Sequence, residues 1–176
     1  MRTIATLLAL ALLPVLPAGA QTTTEQDAHA KLNAWQGAWR VQIRYDETPY
    51  SHKGASSYRD TCSWLAYGGY MVCDGITDAG PRKGHTAITI MAYDTAAHIY
   101  KHIEMSTDLK PEMTSDVTLA GNTWSFPFPM HDAGKTYQCR DVYTIDSADR
   151  WHMTFSIWND GTKQWTPVMH QQATRV

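Results

Sequence analysis

The sequence lacks most of the short motifs by which enzymes are recognised. It contains no Gly-x-Ser-x-Gly elbow, no His-Glu-x-x-His pair, no Cys-x-x-Cys and no glycine-rich phosphate loop. No run of five basic residues occurs, and the formal net charge is −2, with 15 Lys and Arg against 17 Asp and Glu. The missing motifs argue against catalysis, and the charge pattern argues against nucleic acid as a partner. An acid–base pair stays open, because Asp60, Glu104 and Asp141 all lie on predicted strands.

Long apolar runs are also missing, except at the N-terminus. Arg2 precedes an apolar stretch over residues 4–15, and Ala18-Gly19-Ala20 is a cleavage site of the small-residue kind. We expect a signal peptide over residues 1–20, cleavage after Ala20, and a periplasmic or secreted domain over residues 21–176. No cysteine follows the cleavage site to carry a lipid, and no later stretch is apolar enough to cross a bilayer. A membrane partner is therefore not expected after cleavage.

Helix signals are few, and alternation of apolar and polar residues dominates the chain. Thr24 is placed to cap a short helix over residues 25–34. Period-two patterns separated by turn residues then predict ten strands, at residues 39–45, 56–65, 70–75, 85–93, 98–105, 113–119, 123–128, 135–145, 151–158 and 163–176. Ten consecutive short strands with one N-terminal helix indicate an all-β, antiparallel up-and-down barrel.

The two ends of the predicted sheet carry a closure signature. Gly37-Ala38-Trp39 opens the first strand, and Arg175 lies on the last strand. A guanidinium stacked on an indole contributes about 1–2 kcal/mol when it is desolvated. We expect Trp39 and Arg175 to be in contact at one end of the barrel, which the segment near Trp35 would plug.

Cysteine is scarce, and its placement fits export. Cys62 and Cys73 flank a segment centred on Tyr67 and Gly68, so a symmetric hairpin sets the two cysteines opposite each other. Two outcomes are open: a disulfide formed in an oxidising compartment, or two buried apolar thiols. Cys139 is left unpaired in both cases and is expected to pack as a small apolar side chain.

The hairpin also carries a resemblance. Its pattern, Cys62-Ser63-Trp64 followed by Gly68-Gly69 and Cys73, resembles a hairpin of bacterial exported proteins in a lipocalin-like, calycin-type family of unknown function. Further matching features are Trp35-Gln36-Gly37-Ala38-Trp39, Tyr93-Asp94, Gly121-Asn122-Thr123-Trp124, and Asp160-Gly161 followed by Trp165. The resemblance implies a ten-stranded barrel and no activity. The tail around His170 and Arg175 is more distantly similar to nitrobindin-like barrels, in which a histidine near the C-terminus binds haem.

The candidate site is the interior of the barrel. His98, Tyr100, His102 and Glu104 share one face of a predicted strand. Either this face lines a cavity, or it meets water while Ile99, Ile103 and Met105 pack the core. For the lining we predict eight residues: Trp64, Met71, Tyr100, His102, Glu104, Tyr137, Tyr143 and Phe155.

The 7 Trp and 9 Tyr of the chain favour a cavity lined mainly by aromatic and Met side chains. The sequence therefore predicts that the barrel binds a small, partly apolar molecule, with no cofactor and no metal. Two alternatives stay open. One is a haem-binding barrel in which His170 is the iron ligand. The other is a structural or partner-binding barrel filled by its own side chains.

Overall fold

The computed structural model describes residues 25–66, 68–107, 113–132 and 134–176 of the 176-residue chain. The predicted signal peptide lies outside these residues. One helix precedes ten strands: α1 Glu25–Leu32, β1 Gly37–Tyr45, β2 Gly54–Trp64, β3 Tyr70–Ala79, β4 Thr86–Asp94, β5 Ile99–Ser106, β6 Met113–Ala120, β7 Thr123–Asp132, β8 Lys135–Ser147, β9 Arg150–Asn159 and β10 Gln164–Arg175. Within the described ranges, no helix has both the length and the apolarity to span a bilayer.

The strands form a closed antiparallel barrel in which each strand pairs with its neighbours in sequence, and β1 pairs with β10. The predicted fold class is thereby confirmed. Alternation explains most strands: along β1, Trp39 and Val41 are buried and Arg40 and Gln42 are exposed. Closure leaves neither terminal strand with a free edge.

Helix α1 covers one end of the barrel. Ala28 and Leu32 are fully buried, and Trp35, just after the helix, is also buried. The Trp39 indole N–H donates to the Trp35 carbonyl at 2.8 Å, and the Tyr100 hydroxyl donates to the Ala28 carbonyl at 3.3 Å. The rings of Trp124 and Trp151 also lie against that of Trp35. We call this group of five residues the aromatic floor: Trp35, Trp39, Tyr100, Trp124 and Trp151.

The predicted closure contact is present beside this floor. The Arg175 guanidinium carbon lies 4.3 Å from the centroid of the Trp39 ring, and the two residues are register partners. Arg175 also donates hydrogen bonds to the carbonyl oxygens of Gln36 and Ala148. Gly37 has φ 122°, and a Cβ at that position would collide with the Arg175 guanidinium. The first residue of the Gly-x-Trp motif is therefore a glycine for two physical reasons.

The predicted disulfide between Cys62 and Cys73 is present. The two residues are register partners on β2 and β3, and the Leu65 amide donates to the Tyr70 carbonyl at 3.0 Å across the hairpin. Cys139 is free and buried, and burial raises the pKa of its thiol to about 12. That thiol is protonated at neutral pH and packs as an apolar group.

Pairing in the barrel wall is weakest between β6 and β7. In the described part of these strands, their pairing is confined to Thr118, Leu119 and Ala120 on β6, whereas β7 pairs with β8 along its whole length. β7 contains Pro127 and Pro129, which have no amide hydrogen. Residues two apart direct their backbone groups to the same neighbouring strand, so both prolines remove donors from one side of β7. This accounts for the short pairing with β6.

Candidate functional site

Polar side chains from five strands meet inside the barrel, between the aromatic floor and a second apolar cluster at the other end. That second cluster contains Met113, Phe128, Cys139, Ile157 and Val168. The inward residues between them form what we call the central polar band: Tyr58, Asp60, His102, Glu104, Ser115, Asp141, Tyr143 and Gln171. We place the candidate site here.

Part of the band remains accessible to solvent. All five residues of the aromatic floor are buried, and none is more than 7 % exposed. By contrast Tyr58, Asp60, Glu104, Asp141 and Tyr143 are half-buried, although they face the interior. Phe155 and Met169, which also face inward, are half-buried as well. The centre of the barrel is therefore less tightly enclosed by side chains than the floor is.

The structure decides between the two alternatives for strand β5. Tyr100 and His102 are buried, and Glu104 is half-buried, so this face points inward. Met105, on the opposite face, is 40 % exposed. The expectation that the polar face meets water is therefore wrong. The prediction of a lining made mainly of aromatic and Met side chains is wrong for the same reason, because the centre of the barrel is polar.

Several residues predicted to line a cavity fill space instead. Met71 is fully buried in the main core, and Tyr100 belongs to the floor. Trp64 packs on the helical end, where its indole N–H donates to Asn33 at 2.7 Å and its ring stacks on His29. Tyr137 lies near the second apolar cluster, with its ring centroid 6.0 Å from that of Tyr50. His102, Glu104, Tyr143 and Phe155 are the predicted lining residues that border the central space.

Sequence reasoning missed the grouping of the carboxyls with Tyr58, Ser115 and Gln171. The Tyr58 hydroxyl donates to the Gln171 Oε1 atom at 3.0 Å, which joins β2 to β10 across the interior. Strand parity was the available signal. Residues two apart face the same side, so an inward Cys62 implies an inward Asp60, and an inward Tyr143 implies an inward Asp141.

The three carboxyls of the band are electrostatically unusual. Burial raises the pKa of Asp60 to about 6, with a further rise from the negative charge of Asp74 and an opposing hydrogen bond from the Thr61 amide. Burial also raises the pKa of Glu104 to about 6, and the charge of Asp60 adds to the effect. The pKa of Asp141 is raised well above its ordinary value by burial and then by the charge of Glu104. The charge of Asp60 thus disfavours ionisation of Glu104, and the charge of Glu104 disfavours ionisation of Asp141.

Asp141 also carries an unsatisfied atom. Its Oδ1 is buried without a hydrogen-bond partner, although a buried acceptor ordinarily has one. Phe126 on β7 and Phe155 on β9 are its register partners on either side. The buried indole N–H groups of Trp35 and Trp151 are also unpartnered, and both rings contact Tyr143, two residues from Asp141. The boundary between floor and band therefore has unused hydrogen-bonding capacity.

His102 is the inward-facing histidine of the described strands. Its Nδ1 lies 3.2 Å from the Ser115 Oγ, and burial lowers its pKa to about 4. The imidazole is neutral at physiological pH and contributes no positive charge. Its distance to Ser115 is that of a nucleophile and its base, but a base with so low a pKa is weak at neutral pH.

His170, the predicted haem ligand, lies on the outer face of β10. Gln171 and Ala173 are buried and point inward, which turns His170 outward. Its Nε2 lies 3.0 Å from Asp46 Oδ2, and its Nδ1 lies 3.3 Å from Thr154 Oγ1. The geometry contradicts a role for His170 as an interior iron ligand, because both ring nitrogens are engaged outside the barrel.

A preformed metal centre is not found among the described side chains. Their one group of three ligating atoms within 4.8 Å of each other is Asp60, Cys62 and Cys73. Both sulfurs of this group belong to the disulfide, so they are not available as thiolate ligands. The oxygens of Asp60, Glu104 and Asp141 do not meet that distance criterion, and the band therefore does not form one coordination sphere.

Two open clefts of about 480 and 490 Å³ lie on the surface. The first lies along β1 to β4, and its lining includes Arg40, Asp74 and also Asp60 of the central polar band. The second lies where the ends of β8 and β9 separate, beside Tyr137 and Trp158. We favour the interior over both clefts because it is enclosed, has apolar walls and has converging polar groups.

A profile of the family described as "Protein of unknown function (DUF1579)" matches residues 24–175. The crystal structure of Rv2717c from M. tuberculosis is similar in fold, with a TM-score of 0.59 and 11 % identity over 85 % of this chain and 97 % of that chain. A protein of unknown function from the DUF3598 family, from Nostoc punctiforme PCC 73102, gives a TM-score of 0.24 at 9 % identity, over 84 % and 98 % of the two chains. That score is too low to support an argument. No curated protein matches the chain.

Proposed function

The chain belongs to the DUF1579 family of proteins of unknown function, and from that premise we propose that its barrel binds a small, partly apolar molecule in the interior. The observation that carries the proposal is the contrast between a filled floor and a half-buried central band. Binding sites for small molecules combine apolar walls with a few convergent polar groups. The band offers both kinds of group within one enclosure.

The residues that surround the site have two roles. Phe155 and Met169 supply apolar surface that remains partly accessible. Tyr58, Tyr143 and Gln171 supply groups that orient a ligand. Burial raises the pKa of both phenols well above the ordinary value, so both are protonated at neutral pH. The Tyr58 O–H is already donated to Gln171 Oε1, so Tyr58 offers its oxygen to a ligand as an acceptor. A molecule with an apolar body and at least one hydrogen-bonding group fits this set of contacts.

The short pairing of β6 with β7 supports a route into the interior. Unpaired backbone at this side of β7 follows from Pro127 and Pro129, and the neighbouring inward residues are Ser115, Phe126 and Phe128. Fewer register pairs are described between β6 and β7 than between any other two neighbouring strands. Local opening is cheapest where two strands are least paired.

Binding is a better match to the band than catalysis. Ser115 and His102 are within hydrogen-bonding distance, but the low pKa of His102 disfavours it as a base. The unpartnered Asp141 is compatible with a ligand that completes its hydrogen bonding. We also propose that the chain acts outside the cytoplasm, because the Cys62–Cys73 disulfide suits an oxidising compartment.

The experiment is a titration with N-phenylnaphthylamine, an uncharged dye that fluoresces in apolar sites. We expect saturable binding at one dye per chain. Met169→Trp, an inward substitution, should fill the space and weaken dye binding by about tenfold, which corresponds to 1.4 kcal/mol. Gln172→Trp is the matched control, because Gln172 is exposed on the opposite face of the same strand. Absence of dye binding, or equal weakening by both variants, would refute an interior site.

A further inference from the structure

Resting on the interior site just proposed, we propose that this site selects small organic cations, and in particular protonated amines with an apolar or aromatic body. The inference concerns the charge of the ligand, which the dye experiment does not test. It is carried by the placement of three carboxyls, by an unpartnered buried oxygen and by the surrounding aromatic rings.

The carboxyls surround the central space from three directions. Asp60 lies on β2, Glu104 on β5 and Asp141 on β8, and successive members are three or four strands apart around the closed sheet. All three share the inward face of their strands with buried residues. A molecule at the centre of the barrel therefore faces acidic groups on several sides.

No fixed positive charge balances these acids among the described inward residues of the band. His102 is neutral at physiological pH, as its lowered pKa shows. Lys101, next to it in sequence, points outward and pairs with Asp116 at 2.6 Å. Arg175 lies at the end of the barrel over Trp39. An anionic ligand would be repelled here, and a cation would replace the missing counter-charge.

Asp141 provides the second and independent observation. Its Oδ1 is buried and accepts no hydrogen bond. An ammonium group has up to three N–H donors and forms short, charge-assisted bonds to carboxylates. An ammonium group could donate one hydrogen bond to Asp141 Oδ1 and still have N–H donors for other acceptors of the band. A hydroxyl group has one donor and could not do both.

The cation is expected to be organic and not a bare metal ion. The three carboxyls do not meet within the radius of one coordination sphere, as the metal-site geometry above establishes for the described residues. The register partners of Asp141 are Phe126 and Phe155, and Tyr143 lies two residues away. Aromatic faces attract organic cations and also pack against their apolar parts.

Proton linkage gives the inference a second signature. The titratable groups that face the site are Tyr58, Asp60, His102, Glu104, Asp141 and Tyr143. Raised pKa values leave the carboxyls partly protonated near neutral pH when no cation is present. A bound cation favours their ionised form, so binding should release protons and strengthen as the pH rises from about 5 to about 7.5.

The test is calorimetric titration of the full protein at pH 7.5 with three probes of similar shape: phenethylamine, phenethyl alcohol and hydrocinnamate. We expect the amine to bind at least about tenfold more tightly than the alcohol, a difference of 1.4 kcal/mol, and the anion to bind least. Heats measured in two buffers of different ionisation enthalpy should reveal proton release with the amine and not with the alcohol.

Three variants test whether the central polar band causes the preference for cations. Asp141→Asn keeps the shape of the side chain and removes its charge, and it should reduce the ratio of amine to alcohol affinity at least about fivefold. Glu104→Gln should act in the same direction. Asp116→Asn is the control, because it removes a carboxylate from the outer surface, and it should leave the ratio unchanged.

The results with the three probes and the dye distinguish the charge selectivity from the interior site itself. If the alcohol binds as tightly as the amine, or if Asp141→Asn leaves the ratio unchanged, the charge selectivity is refuted while the interior site stands. If none of the three probes binds and N-phenylnaphthylamine also fails, the proposed function falls together with this inference. If the dye binds and none of the three probes does, only the inference falls.

Discussion

Replacement of Gly37 by alanine tests how the barrel is closed. A Cβ at Gly37 would collide with the Arg175 guanidinium, and φ 122° is a conformation that side-chain-bearing residues rarely adopt. The backbone strain alone costs about 1–3 kcal/mol. Displacement of Arg175 from Trp39 removes a cation–π contact worth roughly 0.5–2 kcal/mol, and it also perturbs the hydrogen bonds to Gln36 and Ala148. We expect a total loss of about 2–5 kcal/mol.

Three further variants separate backbone strain from the collision with Arg175: Gly121→Ala, Arg175→Ala, and Gly37→Ala combined with Arg175→Ala. Gly121 also has a positive φ, 62°, but a Cβ there would meet nothing within 4 Å. Gly121→Ala should therefore cost only about 1–2 kcal/mol of left-handed strain. In a background of Arg175→Ala, Gly37→Ala no longer meets the guanidinium, so its cost should fall by about 1–2 kcal/mol relative to the wild-type background.

Equilibrium unfolding in urea, followed by tryptophan fluorescence, measures five proteins: the wild type, Gly37→Ala, Gly121→Ala, Arg175→Ala and the double variant. The reasoning is refuted if Gly37→Ala costs the same with and without Arg175. It is also refuted if Gly37→Ala is no more harmful than Gly121→Ala, because the contact with Arg175 would then contribute nothing to the need for glycine.

Three further predictions follow from the same structure. Leu32→Ala should destabilise the protein by about 2–5 kcal/mol, since Leu32 is fully buried under α1, whereas Lys31→Ala on the exposed side of the helix should cost less than about 1 kcal/mol in the same urea assay. Joint replacement of Cys62 and Cys73 by serine should cost roughly 2–3 kcal/mol, and unreduced, denatured wild-type protein should show one free thiol, from Cys139; a count of three would contradict the bridge. Stability should also fall as the pH rises from about 4.5 through about 6, because Asp60 and Glu104, with folded-state pKa values raised to about 6, keep protons that the unfolded chain releases. The contribution of these two acids is complete below the unfolded pKa values and is lost as the pH passes through the raised ones. His102 acts in the opposite direction, because its lowered pKa of about 4 removes stability as the pH falls. Three carboxyls with raised pKa values, Asp60, Glu104 and Asp141, act against this one histidine, so the net effect is a fall in stability. Asp141→Asn should therefore flatten the fall in melting temperature. A melting temperature that rises between pH 5 and pH 7 would contradict this assignment.

Much of the fold was predictable, because alternation and turn residues act locally. The hairpin between Cys62 and Cys73 and the closure between Trp39 and Arg175 both follow from spacing along the chain. Strand β7 was predicted to end at Phe128, yet it continues through Pro129 to Asp132. Prolines are tolerated there because β7 remains fully paired on its β8 side.

The site was harder to predict, because the inward faces of its strands are as polar as outward faces usually are. On β5, Tyr100, His102 and Glu104 alternate with Ile99, Ile103 and Met105, and hydrophobicity points to the wrong face. A closed barrel allows this arrangement, since acids on distant strands meet inside and are enclosed between apolar layers. The predicted contact between Trp39 and Arg175 could have shown which way His170 points. If Arg175 faces inward, residues at even spacing from it, Ala173 and Gln171, also face inward, and His170 faces outward.

The most direct test of the interior site is to locate a bound molecule. Crystals soaked with para-bromophenethyl alcohol, which is uncharged, allow the bromine to be found by its anomalous scattering whatever the charge preference of the site. We predict a bromine peak inside the barrel, in van der Waals contact with Phe155 or Met169 and between the strands that carry Asp60 and Asp141. Bromine peaks confined to the outer surface, with inward side chains in continuous contact across the centre, would contradict the account.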